Sequence, residues 1–150
     1  MTGDDTGSVD AAVATARAAL GLDAREPART WSVARMHPGA RDFVLVVFGA
    51  PEGATAVAAV ETASGEVLEA ARLPGREPHT PMSADEAIRR AGFAPNAARR
   101  LVWDLSPASR SRFYPLWELE SPDGKVWVDS VRGAVSHTLE ATRGGGSDQV

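Results

Sequence analysis

Few side chains in this sequence have the types and spacing that chemistry requires. The three histidines, His37, His79 and His137, lack the spacing of metal ligands, and the chain contains no cysteine that could supply a thiolate. It also contains no nucleophile-elbow, Walker or dinucleotide-binding glycine motif. We therefore expect no catalytic residue, no bound metal and no cofactor, and we expect the histidines to lie on the surface.

The carboxylates offer only conditional chemistry. Glu118 and Glu120 share one face of a predicted strand and could perform acid–base catalysis only if buried, whereas opposite Lys125 they fit a solvated face. Asp129 precedes a turn that ends at Gly133. It could bind a ligand, but the sequence favours a structural role in which its carboxylate accepts hydrogen bonds from turn N–H groups while the glycine adopts a positive φ.

A small enzyme is an alternative hypothesis from another class of function. Its active site would lie in a cavity between helix and sheet and would need a buried histidine or carboxylate. The candidates are His37, Asp104 and Glu118. A perturbed titration of one of these groups would favour this alternative.

The aromatic residues point to a binding surface instead. Trp127 and Leu116 are predicted on the same strand face as Glu118, and a tryptophan on a solvated face needs a cover from another part of the chain, a second copy or a ligand. Pro115 lacks an N–H, which favours an edge strand around Tyr114 that a partner strand could extend. We predict that Tyr114, Leu116, Glu118 and Trp127 bind a protein or peptide.

A predicted hairpin within residues 113–135 positions this surface. Apolar and charged residues alternate along both of its strands, as in a sheet with one solvated face. The segment Ser121-Pro122-Asp123-Gly124 has the residues of a tight turn, with glycine available for a positive φ. The predicted cross-strand pairs are Leu119 with Val126, Glu120 with Lys125, and Trp117 with Val128.

The rest of the chain contains two predicted helices and further strands. One helix begins at a Ser8 N-cap and ends at Gly21, and the second begins with a capping box formed by Ser83 and Glu86 and ends at Gly92. Strands are predicted at residues 30–35, 43–48, 55–62, 66–71 and 101–105. The second of these, FVLVVF, is apolar throughout, which favours a strand covered on both faces.

The order of one helix followed by four strands occurs twice. Ser8, Gly21, Pro51-Glu52-Gly53 and Gly65 in the first half correspond to Ser83, Gly92, Pro122-Asp123-Gly124 and Gly133 in the second. We therefore predict an α+β protein of two cystatin-like repeats, each with one helix packed on an antiparallel sheet of about four strands. The predicted boundaries are a disordered end at 1–7, a first repeat at 8–71, a proline-rich linker at 72–82, a second repeat at 83–142 and a disordered tail at 143–150.

Two known families have sequences that this chain resembles. The aromatic strand YPLWELE and the ending V-x-V-D-x-x-x-G-x-V, here Val126, Val128, Asp129, Gly133 and Val135, resemble the PepSY domain. Residues 43–86 are similar to the segment that joins the tandem amino-terminal, non-catalytic domains of copper amine oxidases. Both resemblances imply a repeated cystatin-like unit, and the PepSY resemblance implies protein or peptide binding and regulation of a partner.

Composition excludes several other classes of protein. A hydrophobic content of 43% with 24% charged residues is typical of a soluble globular protein, and no apolar run is long enough to span a bilayer. The net charge of −4, without a basic cluster, argues against nucleic acid as a partner. Arginine supplies 15 of the 16 basic residues, which together with abundant alanine indicates a GC-rich bacterial genome.

The acidic amino terminus does not resemble a secretion signal, so we expect a cytoplasmic location. The function predicted from the sequence is a non-enzymatic accessory or regulatory module that binds a protein or peptide, with no nucleic acid and no membrane as partner. A homodimer that serves as a plain dimerisation scaffold is the remaining alternative.

Overall fold

The computed structural model of the protein describes residues 2–37 and 39–139, with the backbone alone for residues 2–8. In this part, the protein is α+β, with two helices and eight strands. The chain divides into two compact units, one ending at Thr80 and one beginning at Pro81, so that the boundary falls inside the predicted linker. Neither helix in the described ranges has the length and apolar character needed to cross a membrane.

The first unit contains one helix and four antiparallel strands. They are α1 (Thr2–Leu20), β1 (Ala28–Arg35), β2 (Phe43–Ala50), β3 (Gly53–Glu61) and β4 (Val67–Arg72), and the strands lie in the order β4-β3-β2-β1. The predicted strands agree with these bounds to within about two residues, the usual uncertainty of an element's end. The predicted N-cap at Ser8 is wrong, because the helix already begins at Thr2.

The earlier start of α1 also affects a predicted boundary. The backbone of residues 2–7 belongs to this helix, where we predicted a disordered end. The predicted tail at 143–150 lies outside the described residues.

The core of the first unit forms between α1 and one face of its sheet. Ala12 and Ala16 are buried, and their small side chains let the helix approach the sheet closely. The apolar run in β2 is buried at every position from Phe43 to Phe48, which confirms the prediction that both faces of this strand are covered. The residues that pack with the helix are Val44, Val46, Phe48, Ala56, Ala58 and Val60.

The predicted linker is bound to the first unit along part of its length. The N–H of Leu73 donates to the carbonyl of Thr55 (2.9 Å), and the N–H of Ala54 donates to the carbonyl of Glu77 (2.9 Å). Gly53 lies so close to the carbonyl of Gly75 that a Cβ at this position would overlap that oxygen. The chain after β4 therefore folds back over the start of β3 and is not a free connection.

The second unit also contains one helix followed by four antiparallel strands. They are α2 (Ala84–Ala91), β5 (Ala98–Trp103), β6 (Leu116–Ser121), β7 (Gly124–Asp129) and β8 (Val135–Ser136), with the strands in the order β5-β6-β7-β8. The predicted pairs of the β6–β7 hairpin are all confirmed, including Glu120 opposite Lys125. The strand predicted at 101–105 begins earlier than expected, because Arg100 lies opposite Glu118 and forms an ion pair with it. It also ends earlier, at Trp103, and Leu105 beyond this end is 68% exposed.

The ends of α2 have the predicted caps, with one difference. The Ser83 hydroxyl accepts from the N–H of Glu86 (3.1 Å), and Gly92 has the left-handed φ of 75° that ends the helix. The Glu86 carboxylate, which we expected to reach back to the cap, contacts Arg89 and Arg90 instead. Its hydrogen bond to the Arg89 guanidinium, together with the charges of both arginines, lowers the pKa of Glu86.

The core of the second unit lies between α2 and the inner face of its sheet, which we define as the face packed against this helix. Ala87 and Ile88 contact Leu119, Val126 and Val128, as their predicted positions on an apolar helix stripe and strand face require. Trp117 also packs here, and its indole N–H donates to the carbonyl of Met82 (2.8 Å).

Leu119 and Glu120 test this assignment of faces, because they are neighbours on β6 that point in opposite directions. Leu119→Ala removes a fully buried side chain and should lower the free energy of unfolding by about 2–5 kcal/mol. Glu120→Ala changes an exposed position and should have an effect within about 0.5 kcal/mol. Urea unfolding followed by tryptophan fluorescence measures both, and similar losses for the two variants would contradict the assignment.

Candidate functional site

The predicted binding residues lie on or near the outer face of the second unit's sheet, defined as the face opposite α2. Leu116, Glu118 and Trp127 occupy this face, as predicted from their alternation. Leu116 is only 1% exposed, so its prediction as a contact residue for a partner is wrong. Tyr114 lies in the loop before β6 and is half-buried. Of the four predicted residues, Glu118 and Trp127 are the pair that the fold brings into direct contact.

The prediction of an exposed edge strand at Pro115 is also wrong. β6 lies between β5 and β7, and it begins one residue after the proline. Pro115 therefore requires no N–H for strand pairing, and its carbonyl accepts hydrogen bonds from the backbone N–H (3.0 Å) and the hydroxyl (2.6 Å) of Ser130. A proline immediately before a central strand removes no hydrogen bond from the sheet.

Glu118 organises the polar part of the outer face. Its Oε1 accepts from Nε of Arg100 (2.8 Å), and its Oε2 accepts from the indole Nε1 of Trp127 (3.1 Å). The Glu118 side chain is 11% exposed, so both interactions are partly shielded from water. The indole is consequently held in one orientation on the outer face, and each oxygen of Glu118 accepts one hydrogen bond.

The loop between β5 and β6 is held together by serine side chains. The Ser109 hydroxyl accepts from the indole N–H of Trp103 (3.0 Å) and lies 2.7 Å from the carbonyl oxygen of Tyr114. The backbones of Ser106 and Ser109 form a short antiparallel bridge, and both residues are buried. Buried hydroxyls with hydrogen-bond partners can fix an irregular segment that has no strand or helix of its own.

Asp129 performs the same task in the turn between β7 and β8. Its Oδ1 accepts from the backbone N–H groups of Val131 (2.9 Å) and Arg132 (2.8 Å), and its Oδ2 accepts from Nε of Arg132 (2.8 Å). The residue is 2% exposed, and Gly133 ends the turn with a φ of 87°. The structural role predicted for Asp129 is therefore confirmed.

The Asp129 turn also positions an arginine that the sequence analysis did not identify. The Arg132 guanidinium carbon lies 3.9 Å from the centre of the Tyr114 ring, within the range of a cation–π interaction. The Arg132 side chain thus contacts the Asp129 carboxylate through Nε and the Tyr114 ring through its guanidinium carbon. The only sequence signal was the spacing of three residues between Asp129 and Arg132, because the contact with Tyr114 depends on the fold.

An open depression of about 380 Å³ lies beside this arginine. It is lined by residues 107–110 of the serine-rich loop and by Asp129, Arg132 and Ala134. Arg110 is exposed here and provides a second positive charge. The depression therefore combines two guanidinium groups with a carboxylate whose oxygens already accept hydrogen bonds.

The remaining chemical candidates are the three histidines and Asp104, which is buried at 3% exposure. Within residues 2–37 and 39–139, no three side chains of the metal-ligating types are grouped closely enough to hold an ion. His37 and His137 are exposed as predicted, but His79 is buried, so that its prediction as a surface residue is wrong. The segment that carries His79 is fixed to the first unit on both sides, through Glu77 and through the Thr80 hydroxyl, which accepts from Arg29 (2.8 Å).

Replacement of Glu118 should release the Trp127 indole. In Glu118→Ala the indole N–H loses its acceptor, so its hydrogen exchange with solvent should become faster. Glu120→Ala, on the same strand and face, removes an exposed carboxylate and should leave the exchange unchanged. The indole resonance in proton–nitrogen correlation spectra reports the exchange rate directly. Equal rates in wild type and Glu118→Ala would show that the hydrogen bond does not form.

Replacement of Asp129 should destabilise the β7–β8 turn. Asp129→Ala removes the acceptor of three hydrogen bonds and should lower the free energy of unfolding by about 1.5–3 kcal/mol. Asp123→Ala, in the exposed β6–β7 turn, is the matched control and should change it by less than about 0.5 kcal/mol. Thermal or urea unfolding compares the two, and an unchanged stability of Asp129→Ala would contradict the assigned role.

Comparison of the chain with protein-family models, with curated protein sequences and with solved structures finds no match. The similarity to PepSY domains and to the amino-terminal domains of copper amine oxidases therefore stays a prediction. The groups of the second unit that could take part in function are its exposed arginines, the half-buried Trp127, the half-buried Glu118 and the buried Asp104 and Asp129.

Proposed function

We propose that this protein is a non-enzymatic module that binds a protein or peptide through the outer face of its second unit. The observation that supports this function best is the state of Trp127, which is half-buried on the outer face and donates its indole N–H to Glu118. Tryptophan and arginine are enriched among the residues that dominate interface energies. A side chain that is already ordered before binding loses less conformational entropy when a partner covers it.

The proposed surface lacks one residue that the sequence predicted and includes one that it did not. Leu116 is excluded by its burial, and Arg100 is added because it fixes Glu118. Around Trp127, the exposed side chains of Glu120 and Lys125 provide a polar rim of both signs. An aromatic centre with a polar rim is the usual composition of a protein interface.

The proposal includes an origin for the architecture. We propose that the two units are repeats of one cystatin-like, PepSY-like element. Each unit has a helix followed by four antiparallel strands, and Pro51-Glu52-Gly53 and Pro122-Asp123-Gly124 occupy equivalent positions, each ending at the first residue of β3 or β7. On this proposal the protein is a cytoplasmic accessory or regulatory factor, with a partner other than nucleic acid.

The two rival functions have less support. Of the three enzyme candidates, His37 is an exposed loop residue and both oxygens of Glu118 accept hydrogen bonds, whereas Asp104 is buried, as such an enzyme would require, but already interacts with another group of the protein. A plain dimerisation scaffold would bury Trp127 against a second copy of the chain and would bind nothing else. The oligomeric state in solution separates this scaffold from a binding module.

The test is affinity capture from the native host's lysate with the intact protein, followed by titration of the identified partner in purified form. Trp127→Ala should weaken the purified complex by at least about tenfold, as expected for a central interface residue. Trp31→Ala, a half-buried tryptophan of the first unit, is the matched control and should bind like wild type. Circular dichroism verifies that both variants fold.

Two results would contradict the proposed function. A partner that binds Trp127→Ala as tightly as wild type would show that the outer face is not the contact surface. A stable dimer by analytical ultracentrifugation, dissociated by Trp127→Ala and without any other captured protein, would favour the scaffold.

A further inference from the structure

Arg132 is held more firmly than most exposed arginines. Its Nε donates to the buried carboxylate of Asp129, and its guanidinium carbon lies over the Tyr114 ring, 3.9 Å from the ring centre. Its own backbone N–H also donates to Asp129, so that the main chain and the side chain are fixed by the same group. An arginine normally loses considerable rotamer freedom when it binds a ligand, and here much of that freedom is already lost.

The outer edge of this guanidinium remains available. Within the part of the chain that the structure describes, neither Nη1 nor Nη2 of Arg132 has a hydrogen-bond acceptor, and the side chain is 53% exposed. Two parallel N–H groups on one edge of a planar cation match the two oxygens of a carboxylate or phosphate. Arg132 is therefore oriented by one carboxylate and presents donors for a second.

The depression beside Arg132 provides a second cation and room for a ligand. Arg110 lines it, is exposed, and forms no ion pair with any residue in the described ranges. Asp129 also lines it, but three N–H donors already satisfy its oxygens. With two arginines and one aspartate, the lining has a formal charge of +1, which favours a monovalent anion.

The walls of the depression indicate which anion fits. Pro107, Ala108 and Ala134 are apolar, and the volume of about 380 Å³ exceeds the space that a single small ion fills. An acidic amino-acid side chain has methylene groups for these walls and a carboxylate for the arginines. A phosphate group carries more charge than the lining balances and has no apolar part.

We propose that this depression binds a glutamate or aspartate side chain of a peptide segment in the partner. The proposal rests on the proposed function, since it identifies the chemistry of a partner that the outer face would bind. In this proposal Arg132 pairs with the carboxylate through both terminal nitrogens, and Arg110 provides the second positive charge of the lining. Tyr114, predicted from the sequence as a contact residue, acts here as a positioning residue through Arg132.

The test is a titration of the ¹⁵N-labelled intact protein with the peptide acetyl-Ala-Ala-Glu-Ala-Ala-amide, with the Gln analogue and with inorganic phosphate. We expect saturable shifts of the Arg110, Arg132 and Ala134 amide signals with the Glu peptide. Binding of the Gln peptide should be at least about tenfold weaker, because it lacks the charge that strengthens the hydrogen bonds.

Three variants assign the effect to the arginines. Arg110→Ala removes an exposed side chain with no described partner, so the variant should fold normally while binding the Glu peptide at least about fivefold more weakly. Arg132→Lys keeps the charge but loses the planar pair of donors and should bind more weakly still. Arg76→Ala removes the same charge from an exposed site in the first unit and should leave the affinity unchanged.

Several results would overturn the inference. They are equal binding of the Glu and Gln peptides, wild-type affinity in both Arg110→Ala and Arg132→Lys, and saturation by phosphate without any response to the peptide. A captured partner that needs Trp127 but binds Arg110→Ala and Arg132→Lys normally would overturn this inference and leave the proposed function intact. If the depression binds the Glu peptide but the captured partner binds Trp127→Ala as tightly as wild type, the proposed function of the outer face would be overturned instead.

Discussion

The buried carboxylate of Asp129 is the constraint on which the second unit's surface depends. A carboxylate at 2% exposure is costly unless hydrogen bonds and a positive charge compensate for the loss of water. The turn after β7 supplies both, through two backbone N–H groups and Nε of Arg132. The same three bonds that satisfy Asp129 therefore determine where Arg132 lies and how its guanidinium faces Tyr114.

A second carboxylate uses the same principle on the outer face. Glu118 accepts from Arg100 and from the Trp127 indole, so an arginine and an aromatic ring are again fixed by one acid. Both arrangements hold large side chains in place without burying them fully. Such side chains lose less conformational entropy when a partner binds, because the hydrogen bonds of Asp129 and Glu118 already order them. The two polar networks can therefore support one binding surface.

The sequence predicted the β6–β7 hairpin correctly because several local signals agreed. The Ser121–Gly124 turn, the alternation of apolar and charged residues, and the Glu120–Lys125 pair all specify one register. The same alternation placed Leu116 on the outer face, as observed, but could not reveal that this end of the face is buried. A period-two pattern identifies the sheet face to which a side chain points, whereas the burial of that side chain depends on residues distant in the sequence.

The errors follow from the same distinction between local and distant information. The strand predicted at 101–105 left out Arg99 and Arg100, but cross-strand pairing with β6, including the ion pair of Arg100 with Glu118, extends β5 over them. His79 lies in a proline-rich segment that suggested an exposed linker, and the hydrogen bonds of Glu77 and Thr80 hold that segment against the first unit. The role of Arg132 requires Tyr114, which is 18 residues away in the chain, so no local pattern could identify it.

The central claim is that Arg132 is held in place before any ligand binds. The most direct measurement is the hydrogen-exchange rate of its Nε–H in the free, wild-type protein, compared with that of Arg110 in the same sample. The account predicts that Arg132 Nε–H is protected by its bond to Asp129, whereas Arg110 exchanges at the rate of a solvated arginine. Equal, rapid exchange of both groups would contradict it, because Arg132 would then be as free as any surface arginine.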